Sequence, residues 1–260
     1  IGGFGFSYSI IFVMFFFITS MMGTSYLRNK FLYFICICIG VAYLFLAQFG
    51  LAILLAGIGI ILLLIYRITD RPVRHIVLLL TLLFIFAMPS VLEFLAYMIK
   101  SELLASRFSG LATVLRGKST TELDIIYRLQ FWKNGLALFA KSPIWGNSLL
   151  DPENALVSHS SYLDLACAGG IIALSAYLTA TIKYAQKILK TISNAWHRRS
   201  YRTSIFIFIL MGCFNPTWQT YELGLTLFFL IPLGYEVIDG YPGYSARAFA
   251  KPLLRNTRKA

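Results

Sequence analysis

The sequence predicts an all-α membrane protein with about seven transmembrane helices and one large extracytoplasmic loop that contains an amphipathic helix. Three observations carry that prediction. The 260 residues are 58% hydrophobic and only 13% charged, where a soluble domain carries about 25% charged residues; the mean hydropathy is +0.73. Apolar runs recur near the length of about 20 residues that a helix needs to cross a hydrocarbon core about 30 Å thick. The basic residues gather in short segments between these runs, where they face lipid headgroups and set orientation.

Four helices are expected over residues 1–98. The first runs over Phe4–Met22 and is ended by Gly23-Thr24-Ser25. The second and third, Phe31–Ala47 and Leu51–Tyr66, are joined by a tight turn at Gln48-Phe49-Gly50. The fourth, Ile76–Met98, is interrupted near its outer end by Pro89 and carries Glu93. A polar loop follows over 99–160, and then three helices over 161–238. The first of these is Ser161–Ile182, followed by a basic segment ending at Arg202. The apolar region 203–238 is broken at Asn215-Pro216, since proline removes a helix donor and clashes with the preceding turn. Residues 239–260 form a basic cytoplasmic tail. The chain starts at Ile1 with no signal-peptide pattern ahead of its first apolar run, so it is expected to be the C-terminal part of something longer.

Sixteen of the 23 Lys and Arg residues lie in the segments around 28–30, 67–74, 183–202 and 247–259, and the loop holds the other seven. With seven spans the sixteen share one side, which the positive-inside rule makes the cytoplasm. The loop then faces outward. This distribution also accounts for the net charge of +12 without nucleic acid as a partner. The bilayer itself is the expected partner. The cysteines Cys36, Cys38, Cys167 and Cys213 lie in apolar segments without a Cys-x-x-Cys spacing, which supports neither a disulfide framework nor a zinc site.

Within the loop, Ile125, Leu129, Trp132, Leu136 and Phe139 recur at spacings of four and three, which predicts an amphipathic helix over Glu122–Ser142, ended by Pro143. Arg128 lies on it, four residues after Asp124. The two can pair on the helix surface for a few tenths of a kcal/mol, or Arg128 can serve a site. Arg107 and Arg116 offer donor forks suited to diphosphate oxygens, or are solvated loop charge. His159 stands where the chain re-enters the membrane; it is a candidate general base, or an interfacial histidine bonded to headgroups. Asp164 lies inside the apolar segment, where a carboxylate needs a cavity or a partner; Glu93 and Glu222 raise the same question. With only three histidines in the chain no histidine metal site is expected, and no nucleotide or hydrolase motif occurs.

The order Arg107-Phe-Ser, Arg128-x-x-x-Trp132, Pro143-x-x-Gly146, His159-x-x-Tyr162-Leu163 and Gly170 resembles the C-terminal signature of the O-antigen polymerase and ligase superfamily of the bacterial inner membrane. The resemblance covers about Arg107 to Ile182, plus the helix plan with its broken final pair. It implies transfer of glycans from an undecaprenyl diphosphate carrier to an acceptor hydroxyl, without metal, cofactor or nucleotide sugar. By position, Arg128 and His159 take the catalytic places, with Arg107, Arg116, Trp132, Tyr162 and Asp164 as substrate-binding candidates. A polymerase uses a second lipid-linked repeat unit as acceptor and brings in a chain-length regulator as a candidate partner. A ligase uses the lipid A core. Ser160 stands where the family has Asn, Ala168 where it often has Glu, and Ala173 where it has Gly, and no arginine follows Gln48-Phe49-Gly50. These departures favour a divergent polymerase. A transporter or flippase of lipid-linked sugars is the alternative of another class, although only one helix break is visible, where paired repeats would give two.

Overall fold

The computed structural model describes residues 3–47, 49–67, 87–118, 123–148 and 160–239. All regular secondary structure among the described residues is helical. In chain order the helices are α1 (Phe4–Gly23), α2 (Leu27–Ala47), α3 (Gly50–Arg67), α4 (Ala87–Met98), α5 (Glu102–Leu115), α6 (Leu123–Lys141), α7 (Ser161–Thr191), α8 (Ala195–Phe214) and α9 (Tyr221–Asp239). Four of them, α1, α2, α7 and α9, are long and apolar enough to cross a membrane. The expected helix Ile76–Met98 is described from Ala87 onward, and its earlier residues lie outside the described set. The tail beyond Asp239 lies outside it too.

The chain forms two compact units. The first comprises Ile1–Ala47, Lys183–Ile207 and Tyr221–Ala260, and is built around α1. That helix carries no charged residue, and two of its buried hydroxyls bond back to its own backbone: Ser9 Oγ to Gly5 O at 2.8 Å and Thr19 Oγ1 to Phe15 O at 2.9 Å. Those two side chains therefore need no water. Met14 packs at Gly40 of α2, and the Phe16 ring packs at Gly234 of α9. The stretch Thr226–Leu230 of α9 is a wider π-type turn. Where α8 begins, His197 is fully buried and stacks on Tyr235 at 4.4 Å. Its Nδ1 lies 2.9 Å from Asp239 Oδ1. The other oxygen of Asp239 accepts from Ser193 Oγ at 2.9 Å and from the Asn194 N–H at 3.3 Å. The basic segment 183–202, read from sequence as a link between spans, is thus mostly helix, as the ends of α7 and α8.

The second unit comprises Gln48–Ile182 and Phe208–Thr220. Here α4 and α5 share a small core of Leu92, Phe108 and Ala112, and Phe108 also lies against Gly50 at the start of α3. The sequence predicted one helix in the loop; the structure has two, α5 and α6. Helix α5 went unrecognised because its apolar positions Leu104, Phe108 and Ala112 are interleaved with Ser106, Ser109 and Gly110, whose helix propensity is weak. Packing rather than propensity makes it a helix. Helix α6 runs over Leu123–Lys141, one residue inside each predicted boundary.

Candidate functional site

Two helix breaks shape the second unit. In α7, Gly169 has φ −127° and Gly170 has φ +66° with ψ −165°, a conformation essentially reserved for glycine. The break stops the Ile171 N–H from reaching the Cys167 carbonyl four residues back, as an unbroken helix requires. The turn that follows α6 takes over both groups. Ile171 N–H donates to Pro143 O at 2.9 Å, while the Cys167 carbonyl accepts from the Asn147 N–H at 2.7 Å and from Asn147 Nδ2 at 3.2 Å. Ser148 N–H donates to Ala168 O at 3.1 Å. Asn147 Nδ2 also donates to Leu138 O at 3.0 Å, and Cys167 Sγ donates to Gly135 O at 3.2 Å.

Close approach makes this exchange possible. Gly146, at φ +75°, lies against the Ala168 carbonyl, and Gly170 lies against the Ile144 carbonyl. A Cβ at either would stand 2.3 or 2.0 Å from that oxygen. The Pro143-x-x-Gly146 and Gly169-Gly170 motifs are therefore two halves of one joint. Apolar surroundings offer no water to a broken helix, so another segment must satisfy it.

The second break lies at the end of α8. Pro216 has no N–H for the Gly212 carbonyl, and Ser160 Oγ donates to that carbonyl instead, at 3.3 Å. The Phe214 carbonyl, left open where the helix stops, accepts from Arg128 Nη1 at 3.0 Å. The Asn215 carbonyl accepts from the Ser161 N–H at 3.2 Å and from Ser161 Oγ at 3.0 Å. Ser161 Oγ lies 2.9 Å from Thr217 Oγ1 and accepts from the Trp218 N–H at 3.2 Å. Tyr162 donates its hydroxyl to Ile209 O at 2.6 Å, its ring lying over Gly212. Arg128 of α6 and the consecutive residues Ser160, Ser161 and Tyr162 thus meet the last two turns of α8 and the residues just after it.

Arg128 is half-buried, and one of the five donors of its guanidinium is committed to Phe214. A cation here also suits the negative end of the α8 dipole. One helical turn on, the Trp132 ring packs at a tilt of 36° against the Phe214 ring, with centroids 5.6 Å apart. Its indole Nε1 is buried without a hydrogen-bond partner among the described residues. Arg128 and Trp132 therefore present two kinds of donor on one face of α6, beside a helix end.

The other sequence-predicted residues fall into separate places. His159 lies outside the described residues, as does the side chain of Asp124. The next residue, Ser160, is buried against α8, where it bonds Gly212. Asp164 is fully buried and engaged inside the protein. Arg107 is half-buried on α5 and also engaged. Arg116, the residue after α5, forms a bidentate pair with Glu93 of α4, with Nη2 at 2.8 Å from Oε2. Two sequence suspects thereby neutralise each other. Sequence reasoning missed Asn147, Ser161 and Phe214. Asn147 follows the Pro-x-x-Gly turn and Phe214 precedes the Asn-Pro break, but only tertiary contact gives either a role. Among the described residues no group of three or more His, Cys, Asp or Glu could hold a metal.

The family model described as O-antigen ligase (Wzy_C) matches residues 34–178. That range takes in both halves of the α7 joint, Arg107, Arg128 and the 159–164 segment. No curated protein and no solved structure matches the chain. A family match over more than half of the sequence, on a chain with four helices fit to cross a membrane, identifies a multi-pass membrane protein that belongs to the O-antigen ligase family, whose members act in O-antigen polymerase or ligase chemistry.

Proposed function

We propose that the protein polymerises undecaprenyl-diphosphate-linked oligosaccharide repeat units in the synthesis of a surface polysaccharide, O-antigen or capsule. The observation that supports this reading best is the convergence at the end of α8. Arg128 is fixed on Phe214, and Ser160, the residue covalently next to His159, is fixed on Gly212 two residues earlier.

In the reaction an acceptor sugar hydroxyl attacks the anomeric carbon of the donor. The bond from that carbon to the diphosphate oxygen breaks, and undecaprenyl diphosphate leaves. Negative charge develops on the departing oxygen, and the Arg128 donors not spent on Phe214 are suited to meet it. His159, as neutral imidazole, takes the hydroxyl proton. The Trp132 N–H orients a sugar or phosphate oxygen. Both substrates are held by lipid tails, so positioning supplies much of the rate. In this reading charge on the leaving group is met by arginine, with no metal or cofactor required. Tyr162 and Asp164, in the same reading, shape the site, and Arg107 is the remaining arginine for the diphosphate, because Arg116 would have to leave Glu93 to reach it.

The site faces outward from a bacterial inner membrane crossed seven times, with the basic tail in the cytoplasm, in keeping with the distribution of Lys and Arg. A chain-length regulator is the expected protein partner. The family description favours a second reading, ligation of finished polymer to the lipid A core.

The two readings separate in cells carrying Arg128→Ala or His159→Ala. Loss of a polymerase leaves single repeat units on the surface. Loss of a ligase leaves long polymer on its carrier. Normal polysaccharide from both variants would end the site assignment. Arg128→Lys divides the roles of the arginine, because lysine can cap α8 but cannot offer a planar fork; stable but inactive protein is the expected result.

A further inference from the structure

The turn after α6 carries a surface that the reaction does not use. Ile144 and Trp145, at its tip, are 54% and 71% exposed. Their backbone is held on both sides by the bonds to Cys167, Ala168 and Ile171. Exposed Ile171 and Ile172 continue the surface on α7, directly beyond the bond to Pro143. No charged residue lies within 142–148 or between Asp164 and Lys183. The nearest cation, Lys141, is exposed at the end of α6.

The position of the joint along α7 says what covers this surface. Lys183, Lys187 and Lys190 are exposed at the far end of the helix and belong in water or headgroups. The unbroken part of α7 begins after Gly170, and at 1.5 Å per residue it rises about 18 Å from there to Ile182. A hydrocarbon core is about 30 Å thick. With Ile182 at one edge of the core, Gly170 lies roughly 10 Å short of the other.

We infer that residues 142–148 form a re-entrant turn, and that Ile144 and Trp145 at its tip rest against the acyl chains of the bilayer. The backbone chemistry is suited to such a place. A turn at hydrocarbon depth must have its polar groups satisfied by protein: Pro143, Asn147 and Ser148 are bonded to α7, Asn147 also to α6, and the Gly146 N–H donates to Ser142 O within the turn. Lys141 reaches the headgroups along its alkyl stem. The tip sets the depth of α6, the helix that carries Arg128 and Trp132. This inference uses the membrane span and the joint alone, and stands whichever sugar reaction the site performs.

The test is fluorescence of the protein with Trp145 as its single tryptophan, made by Trp132→Phe, Trp196→Phe and Trp218→Phe, in vesicles of phosphatidylcholine brominated on the acyl chain. Strong quenching by the brominated chains with little quenching by aqueous iodide is expected. Quenching by iodide with none by bromolipid overturns the inference. A second measurement covers misfolding of that protein. Trp145→Cys and Lys141→Cys, each in the otherwise unchanged chain, are treated in intact membranes with a membrane-impermeant maleimide. Labelling above the parent chain is expected several-fold faster for Lys141→Cys than for Trp145→Cys, and equal rates overturn the inference.

Discussion

The two units meet one constraint in opposite ways. In the first, neighbouring segments touch mainly through side chains: Met14 against Gly40, the Phe16 ring against Gly234, Tyr235 against His197. The hydroxyls of Ser9 and Thr19 on α1 are absorbed by its own carbonyls. In the second, backbone meets backbone. Helices α7 and α8 are interrupted, and the groups each break releases are bonded by a turn, by two serines and by an arginine. Within a bilayer a continuous helix is self-sufficient, whereas a broken one is held only by an external set of partners. The second unit therefore places polar atoms at fixed positions inside an apolar protein, which is what the proposed chemistry on a lipid-linked substrate demands. The first unit has less to lose from a small change of shape.

The largest effect that this contrast predicts is at Gly170. Alanine there has both an unfavourable φ of +66° and a Cβ placed 2.0 Å from the Ile144 carbonyl. Backbone cannot step aside as a side chain does, so Gly170→Ala is expected to cost more than about 3 kcal/mol. Protein should be depleted from the membrane fraction, and what remains should unfold at lower temperature in detergent. Gly57→Ala is the matched control within the same unit. Nothing lies within 4 Å of its added Cβ, and in a helix interior alanine should be neutral or stabilising by up to about 1 kcal/mol. Equal behaviour of the two variants would break the comparison.

Asn147→Ala asks whether the joint is held by its glycines alone. The buried amide bonds the Leu138 and Cys167 carbonyls. Its loss leaves the first without this donor, at an expected cost of about 2 kcal/mol. Thermal unfolding in detergent measures it. A change within error would mean that the backbone bonds of the turn suffice.

How far the sequence discloses this molecule follows the same division. Helices α1, α2 and α3 were placed from apolar runs to within a few residues, because burial in lipid depends on composition. The break at Asn215-Pro216 was visible, since proline acts locally, whereas the break at Gly169-Gly170 was not: 161–182 reads as one helix, because a glycine pair in an apolar run is compatible with an unbroken helix. What each break is bonded to was not visible. Nothing local in Asn147 or Ser160 announces a partner 20 or 52 residues away. Arg128 and Trp132 were singled out from a family pattern, but their shared contact, Phe214, lies 86 residues beyond Arg128. Periodicity along α6 cannot supply that. Arg116 and Glu93 show the converse, two charges each suspected of function that are satisfied by one another.

A smaller effect is expected from pH in the first unit. Burial pushes His197 down to about 4, Asp239 pulling in the other direction without overcoming it. The unfolded chain takes up that proton near pH 6.5. The folded state is therefore at full stability above about 6.5 and loses stability as pH falls toward 4, because over that window the unfolded state binds more protons. The unfolding temperature should drop by a few degrees between about pH 7.5 and about pH 5. In His197→Gln the drop should be smaller. An unchanged pH dependence would remove His197 as its source.

The smallest effect belongs to Gly40, and it bears most directly on the contrast between the units. A Cβ there would meet Met14 Cγ at 2.7 Å and Sδ at 3.0 Å, too close for an unmoved neighbour though less close than in the α7 joint. The obstacle, however, is the middle and far part of an unbranched side chain with three rotatable bonds, and Gly40 sits within α2 at helical geometry. Met14 can turn away at a cost of about 1 kcal/mol or less, partly offset by the better helix propensity of alanine. Gly40→Ala should then reach the membrane at the parent level and unfold within a few degrees of it. A loss as severe as that of Gly170→Ala would mean that close packing alone, and not the kind of atom approached, decides what this fold tolerates.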